Sequence, residues 1–137
     1  MSRVMAIDYG TQRTGIAWSD PLGISVTPLG TFPTSEIKEK LKSWIQDGPV
    51  EVMILGWPQN LSGQDTHASL PVKTFYTNCQ AWYPTLKIIL WDERFTSRLA
   101  AQTLAQSGMS VSKRKEKTRI DTLSAVIMLQ EYLSQPR

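Results

Sequence analysis

A chain of 137 residues matches the commonest domain size, and 41% hydrophobic against 20% charged residues gives it enough apolar material to bury a core unaided. One cysteine, Cys79, excludes an internal disulfide, and no apolar run approaches a membrane span or a signal-peptide h-region. The net charge of +3 is too small to indicate a nucleic-acid partner by itself, but it is unevenly spread: in Lys113–Arg119 (KRKEKTR) five of seven residues are basic. A single domain over residues 1–137, in the cytoplasm and with no membrane contact, is the expectation.

Arg3–Tyr9 is largely apolar and reads as a central strand. Arg13–Ser19 is its hairpin partner across Gly10. Asp20–Gly23 (DPLG) is a turn with proline at its second position. Ile24–Phe32 makes a third strand, in which Pro28 requires an edge or a bulge. The period then changes. Ile37, Leu41, Trp44 and Ile45 recur at helical spacing, with Thr34 as N-cap and Gly48 as stop. Val50–Gly56 is a buried strand, followed by the turn-rich WPQNLSGQD. Val72, Phe75, Tyr76, Cys79 and Trp82 form the stripe of a helix lying on a sheet, with Ser69 as cap and Pro71 in the first turn. Leu86–Trp91 is a fifth strand. Thr96–Ser107 is a helix stopped by Gly108, and Thr118–Leu133 is the last helix, entered through the basic run as a loop. The order β-β-β-α-β-α-β-α-α predicts an α/β fold: a five-stranded mixed sheet with helices on both faces.

Three acids belong to three of these elements. Asp8 ends the first strand. Asp92 and Glu93 follow the fifth, and if that strand runs parallel to the first they emerge at the same edge, where sites gather in open α/β sheets. Neighbouring strand residues point to opposite faces, so only one of the two should face Asp8. Asp121 lies in the first turn of the predicted last helix, followed by small Ser124 and Ala125 and by Met128, which suit close approach to a sheet. Each acid also has a plain structural alternative. Asp8 can cap the turn at Gly10, Glu93 can pair with Arg94 in solvent, and Thr118 with Asp121 resembles a capping box.

Gathered together, such acids need a cation, because two carboxylates about 5 Å apart repel by roughly 3 kcal/mol at an effective dielectric near 20. Oxygen ligands suit Mg²⁺ or Mn²⁺, while the sole histidine, His67, and the lone Cys79 cannot build a zinc site. Two such ions can activate water and stabilise a leaving phosphodiester oxygen. Arg13, Arg94 and the run Lys113, Arg114, Lys115, Lys117 and Arg119 are candidates to hold a nucleic-acid backbone.

Four stretches together resemble the YqgF/RuvX family of bacterial pre-16S ribosomal RNA nucleases, also described as Holliday-junction-resolvase-like. They are DYGTQRTGIAWSD, ILGWPQNLSG, WDERFTS and KRKEKTRIDTLSAVIMLQEYL, in order over nearly the whole chain. The resemblance implies a ribonuclease-H-like fold and metal-dependent phosphodiester cleavage, with Asp8, Glu93 and Asp121 as catalytic and metal-binding acids. It implies as partner a structured rRNA precursor or branched DNA, with the chain a monomer or a homodimer. Gly10, Asn60 and Gly63 keep the family's loop pattern near the site. Trp18 and Trp57 stand where smaller aliphatics are usual, and Gln12 where lysine is common. The tryptophans suit a dimer face, a stacking platform or the core. Two other readings stand beside this one. DYGTQRTG also resembles the first phosphate loop of the actin, Hsp70 and sugar-kinase ATPases, which need two such lobes. A non-catalytic nucleic-acid-binding module would need no intact acids.

Overall fold

The computed structural model describes residues 2–57, 69–92 and 113–135, and of residues 69, 92 and 113–121 the backbone alone. In chain order the elements are β1 (Arg3–Asp8), β2 (Arg13–Ser19), β3 (Val26–Pro33), a short 3₁₀ turn (Thr34–Glu36), α1 (Ile37–Asp47), β4 (Val50–Trp57), α2 (Ser69–Trp82), β5 (Lys87–Asp92) and α3 (Lys113–Ser134). The helix expected over Thr96–Ser107 lies outside the described residues, as do Asn60, Gly63, His67, Glu93 and Arg94.

The strands form one mixed sheet in the order β3-β2-β1-β4-β5. The hairpin strands β1, β2 and β3 pair antiparallel, whereas β1, β4 and β5 run parallel. β1 therefore sits where the antiparallel half meets the parallel half. The turn after β2 closes as expected: the Gly23 N–H donates to the Asp20 carbonyl at 3.0 Å, and Gly23 adopts a φ of 71°. Pro28 lies on the edge strand, next to a register shift opposite Ile16/Ala17. Both conditions that a strand proline imposes are met there.

Period-two alternation sends β1's side chains to two cores. Met5 and Ile7, with Ile16, Met53, Leu55 and Trp57, pack against Ile37 and Leu41 of α1 and Val72, Phe75 and Cys79 of α2. Val4 and Ala6, with Ala17, Val52 and Ile54, pack against Ala125, Met128 and Leu129 of α3. The first core is built from large side chains. The second contains three alanines, so α3 can lie close to the sheet.

Two expectations need correction. Thr34 caps no helix: it opens the 3₁₀ turn, neither that turn nor α1 has a side-chain cap bond, and its hydroxyl is used elsewhere. The last helix starts at Lys113, so the basic run is helical rather than a loop. Lysine, arginine and glutamate are good helix formers, and no glycine or proline falls between Lys113 and Ser134. Of the roles open to the tryptophans, Trp57 takes the core, being 7% exposed, and Trp18 packs half-buried against the same core under the Arg3 guanidinium, 4.3 Å from its ring centroid.

Two measurements follow from this packing. Ile54 is fully buried and paired with Ala6 and Ile89, so Ile54→Ala should cost about 2–5 kcal/mol in denaturant unfolding. Leu22→Ala, on an exposed turn, should cost less than about 0.5 kcal/mol. Burial pushes the Cys79 thiol up to about 12. At pH 8 a soluble thiol reagent should leave Cys79 untouched in the native protein and modify it only once denaturant is added.

Candidate active site

Asp8 closes β1 and is only 9% exposed. It is two residues beyond Ala6, so the pleat places it on the face that α3 covers. Its partner across the ladder is Gly15 of β2, and the partner of Gly15 is Thr31 of β3. Between the Asp8 carboxylate and Thr31 this rung carries no side chain. The Thr31 hydroxyl is hydrogen-bonded to the Thr122 hydroxyl of α3. Thr122 immediately follows Asp121, so α3 is fastened beside Asp121 to the rung that ends in Asp8.

The far end of α3 is also tied down. The Tyr132 ring meets Trp91 of β5 edge-on, with centroids 6.3 Å apart at 70°. Thus α3 spans the sheet from β3 to β5. The small residues foreseen at its contact, Ser124 and Ala125, are fully buried, as is Met128. Asp121 itself lies in the third turn of α3, not the first as expected. That removes the capping-box alternative, because the N–H groups around Thr118 already belong to the helix ladder.

The parallel strands β1, β4 and β5 all release their carboxyl ends at one edge. Ile89 and Trp91 of β5 join the core on Asp8's face. Glu93, two residues past Trp91, lies outside the described residues, as does Arg94. Arg13, partly exposed, opens β2 on the other side of the Gly10 turn. Lys113, Arg114, Lys115, Lys117 and Arg119 fall in the first two turns of α3. Among the described residues no three His, Cys, Asp or Glu side chains gather as a metal cluster, and of the three expected acids only the Asp8 side chain is among them. The donor on hand is a carboxylate. Cys79, the one thiol, belongs to the opposite core, so the soft ligand is remote and the chemistry suits a hard divalent ion.

Gly10 can be nothing larger, because a Cβ there would collide with the Arg13 carbonyl oxygen. Its peptide groups are held by Thr14 and Thr34. In the sequence Thr34 reads as a helix cap, and Thr14, Thr31 and Thr122 are not singled out. No local signal marks the hydroxyl contacts they make, since each works through a partner on another element or across a turn.

The match to known proteins is extensive. Residues 2–135 match the RuvX family model, described as Holliday junction resolvase. The chain is 41% identical over 137 residues to a protein of Flavobacterium johnsoniae named "Putative pre-16S rRNA nuclease", covering 100% of this chain and 99% of that one. A protein of the same name from Porphyromonas gingivalis is 38% identical over 136 residues, 99% of each chain. RuvC of Thermus thermophilus in complex with a Holliday junction substrate shares the fold, with a TM-score of 0.55 over 96% of both chains at 10% identity. The likeness identifies the five-stranded sheet and its helices as ribonuclease-H-like. With the family model spanning nearly every residue and relatives matching end to end, the chain belongs to the RuvX family.

Proposed function

We propose that the protein is a metal-dependent nuclease that hydrolyses phosphodiester bonds in structured nucleic acid, and that it processes the 5′ end of pre-16S rRNA during ribosome biogenesis. One observation carries this reading. A carboxylate closes the central strand on the face that α3 covers, and α3 is bonded to that same rung next to Asp121. Glu93 stands two positions beyond Trp91, the spacing at which an extended strand returns to one face. Family membership and the names of the relatives support the same conclusion.

In this reading Asp8, Glu93 and Asp121 supply oxygen donors for one or two Mg²⁺ or Mn²⁺ ions. Such ions, when bound, polarise the phosphoryl group, activate water and stabilise the leaving oxygen. The chain's own contribution is positional. Asp8 sits on a strand hydrogen-bonded along both edges, so little ordering is left to be done when ion or substrate arrives. Arg13, Arg94 and the basic turns of α3 hold the nucleic-acid backbone. Five cations near a helix N-terminus oppose the helix dipole, which favours anions there, and a phosphate chain laid along that end relieves the conflict. The second reading is resolution of branched DNA. It is favoured by the description of the family model, and symmetric cleavage of a four-way junction would call for a dimer.

Asp8→Asn should lower cleavage of a structured precursor RNA in Mn²⁺ by at least about a hundredfold while changing RNA affinity by less than about threefold. The same assay on a four-way DNA junction separates the readings. Cleavage of the junction alone would transfer the assignment to the resolvase, and binding of both without cleavage of either would leave a binding module. A second check needs no substrate. Millimolar Mg²⁺ or Mn²⁺ should raise the melting temperature of the parent protein by on the order of 5–10 °C if it reaches about a hundred times its Kd. The shift should be much smaller in Asp8→Asn; equal shifts in both proteins would remove Asp8 from the metal site.

A further inference from the structure

The five residues from Asp8 to Gln12 leave β1 and return as β2, with Arg13 opening the second strand. Two threonines, neither in the sequence-derived site, hold this turn. The Gly10 N–H donates to Thr14 Oγ1 at 3.4 Å, Thr14 Oγ1 and Thr34 Oγ1 are 2.9 Å apart, and the Thr34 hydroxyl donates to the Gly10 carbonyl at 2.6 Å. Each hydroxyl has one proton. Thr34 makes the short bond to the Gly10 carbonyl, and the Thr14 proton faces two acceptors, Thr34 Oγ1 and, at 3.5 Å, the same Gly10 carbonyl. The result is a closed ring that satisfies both backbone polar groups of Gly10. A backbone bond adds to it, since the Thr34 N–H donates to the Gln12 carbonyl at 2.9 Å.

The arrangement is more than a loose turn needs. Thr14 is fully buried, so its hydroxyl has the ring as its outlet, and Gly10 is closed to any side chain by the Arg13 carbonyl. The ring joins the turn after Asp8 to the corner where β3 enters α1. The turn between Asp8 and Arg13 is thereby tied to Thr34, a residue 24 positions from Gly10.

We infer that Thr34 is a positioning residue: through the Gly10 ring it holds the turn that joins Asp8 to Arg13, two residues that the cleavage reaction uses. This rests on the nuclease reading. A small displacement of a reacting group can cost about a hundredfold in rate, so a loss of about tenfold from a loosened turn is a fair expectation.

The test uses the full chain, assayed on structured precursor RNA well below the melting transition of every variant. Thr34→Val keeps the shape and removes the hydroxyl; Thr34→Ser keeps the hydroxyl. Thr34→Val should lower kcat/KM about tenfold and Thr34→Ser less than about twofold. Thr14→Val combined with Thr34→Val should lose no more than the worse single variant, because either change opens the same ring. Independently of activity, amide hydrogen exchange at Gly10 should quicken in Thr34→Val and not in Thr34→Ser. An active parent with Thr34→Val at the parental rate, or with Thr34→Ser equally impaired, would overturn the positioning role and leave the nuclease intact. A parent that cleaves neither RNA nor junction would overturn the nuclease reading, and the positioning role with it.

Discussion

β1 is hydrogen-bonded along both edges and covered on both faces, yet it ends in a carboxylate. That combination sets the terms for the rest of the structure. A strand in this position cannot shift by one residue without turning Met5 and Ile7 into the core meant for Val4 and Ala6. Its register is therefore strongly specified, and so is the position of Asp8. The strand also lies at the boundary between the antiparallel hairpins and the parallel crossovers, where an open sheet offers its edge to ligands.

The two faces of the sheet are finished differently, and the difference bears on function. Under α1 and α2 the sheet presents methionine, isoleucine, leucine and tryptophan, a thick layer that holds the helices off. Under α3 it presents Ala6 and Ala17, met by Ser124 and Ala125. Small side chains on both partners allow a close approach. The hydroxyl contact of Thr31 with Thr122 then fixes where α3 meets the sheet, at a rung from which Gly15 withholds any side chain. The face with the acid is the face where a helix can come near it.

Hydroxyl groups do the aligning at both sides of the candidate site. Thr31 with Thr122 docks α3, and Thr14 with Thr34 holds the Gly10 turn. Each hydroxyl contact is individually modest, about 1 kcal/mol net. Their effect lies in geometry more than in stability, because each joins elements that are distant in sequence. Charge plays the complementary part. The basic turns of α3 lie on the N-terminal side of Asp121 in the same helix, so the proposed backbone clamp and the proposed metal ligand move as one rigid piece.

Much of this was legible in the residues alone, because the signals concerned were local and periodic. β2 was read with its observed bounds, and of the stripe Val72, Phe75, Tyr76, Cys79 and Trp82 three are buried, with Tyr76 and Trp82 half-buried against the same core. The meander, the crossovers and the helices on both faces followed from element order and the handedness of connections. Asp8 stood out because a carboxylate at the end of an apolar run contradicts its surroundings. Thr34 was misread as a cap, since a threonine before a helical period carries the same local signal whether its hydroxyl turns to the helix or to a glycine 24 residues earlier. The start of α3 was misread because a run of like charges resembles a solvated loop, whereas its residues are good helix formers. The sequence by itself determined the five strands, the two helices α1 and α2 and the acid that ends β1, since periodicity and propensity act between near neighbours. Only the tertiary structure decided which hydroxyl meets which backbone group and which rung α3 is fastened to. Those choices depend on the packing of elements that no local pattern connects.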